Sequence, residues 1–235
     1  MRNGAIRKRA VVTVPTGRLA VKDHGGAGVR LSDKAYELIR HQIITLQLPP
    51  LAPIDEQSLM NQLDLGRTPI REALQRLAAE DLVLLAPRRG MFVADISITD
   101  LQKIFEARLA IEGFCARLAA ERATHAQLAK MEKIIERLEK VEDSDSRELM
   151  AIDEEFHELL YEAADNEFVS ETLRRLHALS FRLWHLVLDR LGDVRGALEE
   201  HREIFEALQE RDCVRAEAVL QAHITEFQNQ IKAVL

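Results

Sequence analysis

All six prolines of this 235-residue chain lie at or before Pro87. Proline removes a backbone donor and clashes with the preceding helical turn, so long helices are excluded where it recurs and permitted where it is absent. The rear of the chain is rich in Leu, Ala and Glu, and only Gly113, Gly192 and Gly196 follow Gly90. That stretch, residues 96–235, reads as an all-α helical bundle of about six helices, near 99–122, 125–141, 146–164, 167–190, 196–211 and 213–233. Thr124 with Gln127, and Asp145 with Glu148, have the spacing of capping boxes.

The front is organised differently. Residues 1–30 are basic and lack periodicity, as expected of a flexible tail. Tyr36, Ile39, Ile43 and Leu46 recur at helical steps behind Ser32, a candidate cap. The run Leu48-Pro49-Pro50-Leu51-Ala52-Pro53 forbids helix and predicts a turn. Asp55 is placed to cap a short helix ending at Leu63. A third helix is expected with Thr68 as N-cap, Pro69 in the first helical position and an end near Glu80. Leu82–Leu85 and Met91–Val93 are β runs joined by Pro87-Arg88-Arg89-Gly90. Three helices followed by a hairpin is the order of a winged helix-turn-helix, here over residues 31–95, in a chain that is mainly α.

Charge divides the same way. The chain carries a net −7, but residues 1–95 hold +4 and residues 96–235 hold −11. A basic front suits a chain that places only that part on nucleic acid. No apolar run reaches the ~18 residues of a membrane span, and no signal-peptide core follows the basic cluster Arg7-Lys8-Arg9. The expected location is cytoplasmic, with no membrane partner. Cys115 and Cys213 sit in apolar helical patterns and are expected to be buried, reduced thiols.

On the third helix Ile70, Leu74 and Leu77 form one face, while Arg67, Arg71 and Gln75, spaced by four, form another. Arginine can pair bidentately with guanine and glutamine with adenine in a major groove. Thr68 and the helix N-terminal amides suit a phosphate. Arg88, Arg89 and Gly90 at the hairpin tip are placed to reach the adjacent minor groove or backbone.

Six of the eight histidines lie in the rear. Asp153 and His157 share a helix face one turn apart, and separate helices carry His201 and His223. If those helices converge, one carboxylate and three imidazoles meet in a set that suits Zn²⁺, Ni²⁺, Mn²⁺ or Fe²⁺ with an open position; spacing alone leaves the convergence open. Arg108 projects from an apolar segment and needs an anion, either Glu112 or Glu106 nearby or a ligand carboxylate. Arg182 and His185, beside Trp184, fit plain packing or surface exposure better than a cavity wall, and His125 and His177 receive no role. A metal-dependent enzyme of the helical-bundle type fused to a DNA-binding domain is the alternative function. Glu154-x-x-His157 is half of the di-iron bundle signature, but Leu198 and Leu220 stand three residues before His201 and His223, so no second copy exists.

The run Gly66-Arg67-Thr68-Pro69-Ile70-Arg71-Glu72-Ala73-Leu74-Gln75-Arg76-Leu77, then Glu80-Asp81-Leu82-Val83 and Gly90-Met91-Phe92-Val93, closely resembles the DNA-binding domain of the GntR family. Two departures stand out. Gly66 replaces the usual serine and removes a side-chain cap; Asp81 replaces a common glycine and tightens the backbone demand there. Arg108–Glu112, Asp153–His157, Asn166, Glu200-His201 with Ile204 and Ala207-Leu208, and Ala216 with His223-Ile224 are similar to the FCD-type ligand-binding domain of the family's FadR branch. This resemblance implies base contacts by Arg67 and Arg71, with Thr68 and the wing anchoring the backbone. It also implies a divalent metal, Zn²⁺ first, on Asp153, His157, His201 and His223, with a small organic-acid or sugar-acid effector beside it and Arg108 clamping the effector carboxylate. The expectation is a ligand-responsive transcription regulator, a homodimer on a double-stranded operator with two-fold symmetry.

Overall fold

A computed structural model describes residues 30–142, 145–190 and 194–235, without the side chains of residues 189, 194, 195 and 197–199. The expected tail therefore lies, except for Arg30, outside the described residues. The front comprises α1 (Leu31–Ile44), β1 (Pro53–Ile54), α2 (Glu56–Leu63), α3 (Arg67–Ala79), β2 (Val83–Ala86) and β3 (Gly90–Val93). A 3₁₀ turn, Ile98–Asp100, leads into α4 (Leu101–Arg122), α5 (His125–Lys140), α6 (Ser146–Ala163), α7 (Glu167–Val187), α8 (Val194–Gln209) and α9 (Cys213–Val234). An N-terminal winged helix-turn-helix and a C-terminal bundle of six helices are thus observed. The last turn expected of α7 is instead 3₁₀, Leu188–Arg190.

The core of the front is built by α3 on α1. Ile70, Ala73, Leu74 and Leu77 of α3 meet the buried face of Ala35, Ile39 and Ile43 on α1. Two cap assignments change. The N-cap of α1 is Arg30, with no side-chain cap bond, two residues before Ser32. The N-cap of α3 is Gly66, so Thr68 is the second helical residue and Pro69 the third. Pro69 is still accommodated, because none of the first helical amides has an intrahelical acceptor; the first α-type bond runs from Ile70 N to Gly66 O. Asp55 caps α2 by accepting from Gln57 N, as expected.

After α3 the chain turns through Asp81 at φ 61°. Asp81 N donates to Ala78 O and Leu82 N to Leu77 O, closing the helix end in the manner usually given to glycine. Aspartate tolerates this left-handed conformation better than most residues. The expected two-stranded hairpin is a three-stranded sheet in the order β1-β3-β2. Pro53 pairs with Phe92, and Val93 exchanges bonds with Leu51 and Ala52. The proline-rich run thus turns and then supplies an edge strand, where a missing N–H costs no ladder bond.

In the rear, α4 packs on α6, α7, α8 and α9 and is the central strut. Thr124 and Gln127 complete a reciprocal capping box on α5, Asp145 forms only the forward half on α6, and Asn166 caps α7. Cys115 is buried, whereas Cys213 opens α9 and is only partly buried, because a first-turn position faces outward; both are free thiols. Front and rear meet where α1 packs on α7, and among the described residues three polar contacts join them. Arg40 Nη1 of α1 lies 2.9 Å from Glu154 Oε1 of α6, Arg175 of α7 pairs with Asp81, and Arg182 Nη2 of α7 donates to the Ala94 carbonyl at 2.6 Å. No described helix is long and apolar enough to cross a membrane.

Because Leu74 is fully buried between α1 and α3, Leu74→Ala is expected to destabilise the winged portion by about 2–5 kcal/mol. Urea unfolding followed by circular dichroism measures it; a change within experimental error would contradict this core.

Candidate metal centre and DNA-reading face

Helix α6 presents Asp153 and His157 inward, one turn apart, while α8 supplies His201 and α9 supplies His223. All four are buried, and one ligand atom from each lies within 4.8 Å of all the others. Asp153 Oδ1 is 3.3 Å from His201 Nε2 and 3.8 Å from His157 Nε2. The four side chains, whose convergence spacing left open, do converge.

The backs of two rings are held by carboxylates. His157 Nδ1 lies 2.8 Å from Glu112 Oε1, in ion-pair range though not aligned as a hydrogen bond, and His223 Nδ1 lies 3.0 Å from Glu200 Oε2. Such contacts orient a ligating imidazole and leave its other nitrogen for an ion. Glu112 is itself anchored: Arg108 Nε and Nη2 donate to it at 2.8 and 3.2 Å, and the Tyr161 hydroxyl donates at 2.5 Å. Arg108 Nη1 also donates to Ser180 Oγ at 2.9 Å. Of the two partners weighed for Arg108, the internal one, Glu112, is in contact.

Electrostatics match the geometry. Burial opposes the ionised Asp153 carboxyl, but the imidazoles of His157, His177 and His201 together hold it well below the usual carboxylate range. Burial likewise opposes charge on Glu112, and Arg108 and His157 override it in the same direction. Burial, with His201 adding, pushes His223 down to about 4, and burial lowers His177. An ionised Asp153 and an imidazole of His223 inclined to be neutral are the protonation states that a borderline divalent ion requires of those two residues. One oxygen and three nitrogen donors, closely grouped, dry and backed by carboxylates, fit such an ion.

Several participants were not foreseen. His177 of α7, given no role from sequence, brings Nε2 to 3.5 Å from Asp153 Oδ2 and tilts against the His157 ring with centroids 4.9 Å apart. Its spacing from the other histidines carries no signal, since only the crossing of α7 with α6 brings it there. Tyr161 was not singled out either, although its place one turn after His157 puts it on the same helix face. Arg182, read as packing or surface, is 1% exposed. His185 is half-buried, and burial pushes it down to about 4.

In the front portion, Arg67, Thr68, Arg71 and Gln75 are exposed on α3, and Arg88, Arg89 and Gly90 are exposed at the wing tip. Arg88 at φ 63° and Gly90 at φ 98° shape that tip. Arg71 Nε lies 2.8 Å from Glu56 Oε2 of α2, an ion pair that remains half open to water. With Gly66 as N-cap, no side chain caps the start of α3, so its first amides point outward as donors for an anion.

Comparison with known proteins settles the family. Residues 31–93 match the gntR family of bacterial regulatory proteins, and residues 103–226 match the FCD domain, more than half of the chain. This chain is a GntR-family transcription regulator with an FCD domain. Among relatives of this GntR-family regulator, a probable D-xylose utilization operon transcriptional repressor of Paenarthrobacter nicotinovorans is 30% identical over 200 residues, 84% of this chain and 87% of that protein. The HTH-type transcriptional repressor RspR of Escherichia coli K12 is 27% identical over 205 residues, 87% of this chain and 90% of that protein. The solved structure of E. coli McbR/YncC has the same fold, with a TM-score of 0.78 at 22% identity, covering 87% of this chain and 98% of that one. These relatives are transcriptional regulators rather than enzymes, and GntR regulators bind DNA operators.

Unfolded imidazoles take up a proton near pH 6.5, whereas folded His185 and His223 do so only at about 4. Between these values the unfolded chain binds more protons, so folding stability falls as pH is lowered through that window. The urea midpoint of chelator-treated protein is expected to be lower at about pH 5 than at about pH 7. Equal midpoints would show that these rings are solvated.

Proposed function

We propose that this regulator binds, as a homodimer, a DNA operator with two-fold symmetry, and that a small organic-acid or sugar-acid effector held in the helical bundle changes its operator affinity. Residues 31–95 read the DNA, and residues 96–235 sense the effector and dimerise. The observation that carries the sensing half is the buried quartet Asp153, His157, His201 and His223, with ligand atoms within 4.8 Å of one another. Those residues would hold a divalent ion, with Zn²⁺ the preferred one and Ni²⁺, Mn²⁺ or Fe²⁺ compatible with the same donors. Such an ion supplies positive charge and an open coordination position for a carboxylate oxygen.

The chain's own groups complete the site. Glu112 and Glu200 fix the orientation of His157 and His223. Arg108 uses three of its five N–H groups on Glu112 and Ser180. The other two are its means of meeting an effector carboxylate. Helix α6 is the route to the DNA, because Glu154, which pairs with Arg40 of α1, is the next residue after Asp153. A tilt of α6 on effector binding is passed to α1 and so to α3. Coupling of this kind typically amounts to about 1–3 kcal/mol.

At the DNA, Arg67, Arg71 and Gln75 meet base edges, Thr68 and the uncapped start of α3 meet a phosphate, and Arg88, Arg89 and Gly90 reach the adjacent minor groove or backbone. The Glu56 contact holds Arg71 extended beside α2 until a base replaces it.

Arg71→Ala is expected to weaken binding to the correct operator by about 1–3 kcal/mol and to relax base preference at one position of each half-site. Footprinting with a randomised operator library measures both, and an unchanged base preference would remove Arg71 from the reading set. His201→Ala is expected to preserve operator binding while metal content falls and the response to effector is lost. Elemental analysis of the natively purified protein and operator titrations across a panel of organic and sugar acids test this. Full metal stoichiometry in His201→Ala would refute the ligand set, and no acid altering affinity in the wild type would refute the sensor.

A further inference from the structure

Away from the imidazole cluster, Arg182 of α7 is buried to 99% of its surface, with 1% exposed, at the seam between the winged portion and the bundle. Its Nη2 donates to the Ala94 carbonyl at 2.6 Å, but its Nε is buried without a hydrogen-bond partner. Among the described residues no carboxylate lies within ion-pair distance of it. An arginine in this state is expensive to bury, since an interior charge is normally matched by an anion. Burial pushes its guanidinium down to about 10, with Asp95 partly offsetting the effect from a distance.

The same side chain lines a cavity of about 510 Å³ between the linker that follows β3 and helices α4 and α7. Two of the three lining carboxylates are paired with lining cations, and the third, Asp95, accepts from a backbone amide. Arg175 holds Asp81, Lys103 Nζ lies 2.8 Å from Asp100 Oδ1, and Asp95 accepts from the amide of Ile96. Ile96, Ile104, Leu179 and Leu183 supply an apolar wall. A cavity of a few hundred Å³ that joins an apolar wall to a few placed polar groups is the usual form of a small-molecule site.

We propose that this seam is a second ligand site, separate from the metal centre, which takes a small apolar monocarboxylate with its carboxylate on Arg182 and its hydrocarbon on the Ile96, Ile104, Leu179 and Leu183 wall. Asp95 acts on Arg182 only from a distance, and the buried Nε, which has no hydrogen-bond partner, calls for an acceptor in direct contact. A second carboxylate or a phosphate would meet Asp95 and Asp100. The guanidinium fork is shaped for a carboxylate. Since the cavity is bounded by the linker on one side and α7 on the other, the occupant touches both parts of the regulator at once.

The test is a titration of full-length, isotopically labelled protein with hexanoate, 4-methylpentanoate and phenylacetate, alongside their neutral amides, followed by nuclear magnetic resonance. The Arg182 Nε–H signal is assigned by its absence in Arg182→Lys, and the Leu179 and Leu183 methyl signals report the wall. A saturable shift of these signals by at least one of the acids is expected, with the matching amide weaker by about tenfold or more. The shift is also expected to persist after metal is removed by chelation, and to weaken by a similar factor in Arg182→Lys, read on the methyl groups. Equal response to acid and amide in the wild type, or no saturable shift with any of the three acids, overturns the proposal without reliance on any variant. A shift abolished by chelation assigns the acid to the metal centre instead and equally overturns it.

Discussion

A carboxylate at the centre of a helical bundle is the constraint around which the rear domain is arranged. Asp153 is almost without solvent, and an ionised group in that position is tolerated only when opposite charge or hydrogen bonds surround it. His157 comes from the same helix, His177, His201 and His223 from three others. Helices α6, α7, α8 and α9 must therefore cross at one depth, and α4, which packs on all of them, is fixed by that crossing. A second buried carboxylate, Glu112, sits one layer further along α4, and Arg108 with Tyr161 compensates it. The interior is thus two linked polar layers inside an apolar shell. In such a layer removal of one member leaves its neighbours unsatisfied, so the members are expected to act as a unit.

The two halves of the molecule meet where α1 packs on α7 and through a small set of polar contacts on α6 and α7. Helix α6 carries two of the ligand-type residues on its inner face and Glu154 on the face toward α1. A rigid helix converts a small rotation at one face into displacement at the other, which is the physical content of coupling between sites. Helix α7 has the same double engagement, with His177 at the polar layer and Arg175 and Arg182 at the seam.

Much of this architecture was legible in the chain itself. Proline and glycine distribution separated front from rear, and three- and four-residue apolar steps located the helices, because burial on one face leaves that imprint. Individual caps were less legible. Thr68 is a stronger capping residue than Gly66 in isolation, yet the turn from Asp64 through Leu65 delivers the chain to the helix one residue pair earlier. The edge strand at Pro53 escaped notice because two residues are too few for alternation to register. Within the site, Asp153 and His157 could be paired by local spacing, whereas His177 and Glu112 became neighbours only through helix crossings that no single segment encodes. The Arg108–Glu112 pair sat between these cases, being local enough to foresee and ambiguous in partner until the depth of burial was known.

The junction between wing and bundle has a consequence for how the affinity of this regulator depends on ions. Of its three polar contacts, Arg40–Glu154 and Arg175–Asp81 join formal charges whose side chains keep some access to water. Mobile ions screen such pairs, just as they compete for the phosphates of a duplex. Raising ionic strength therefore acts in two places, once at the nucleic acid and once at the ion pairs of the junction. The stability of the junction itself then depends on salt, so ionic strength changes the protein as well as its counterion exchange with the duplex.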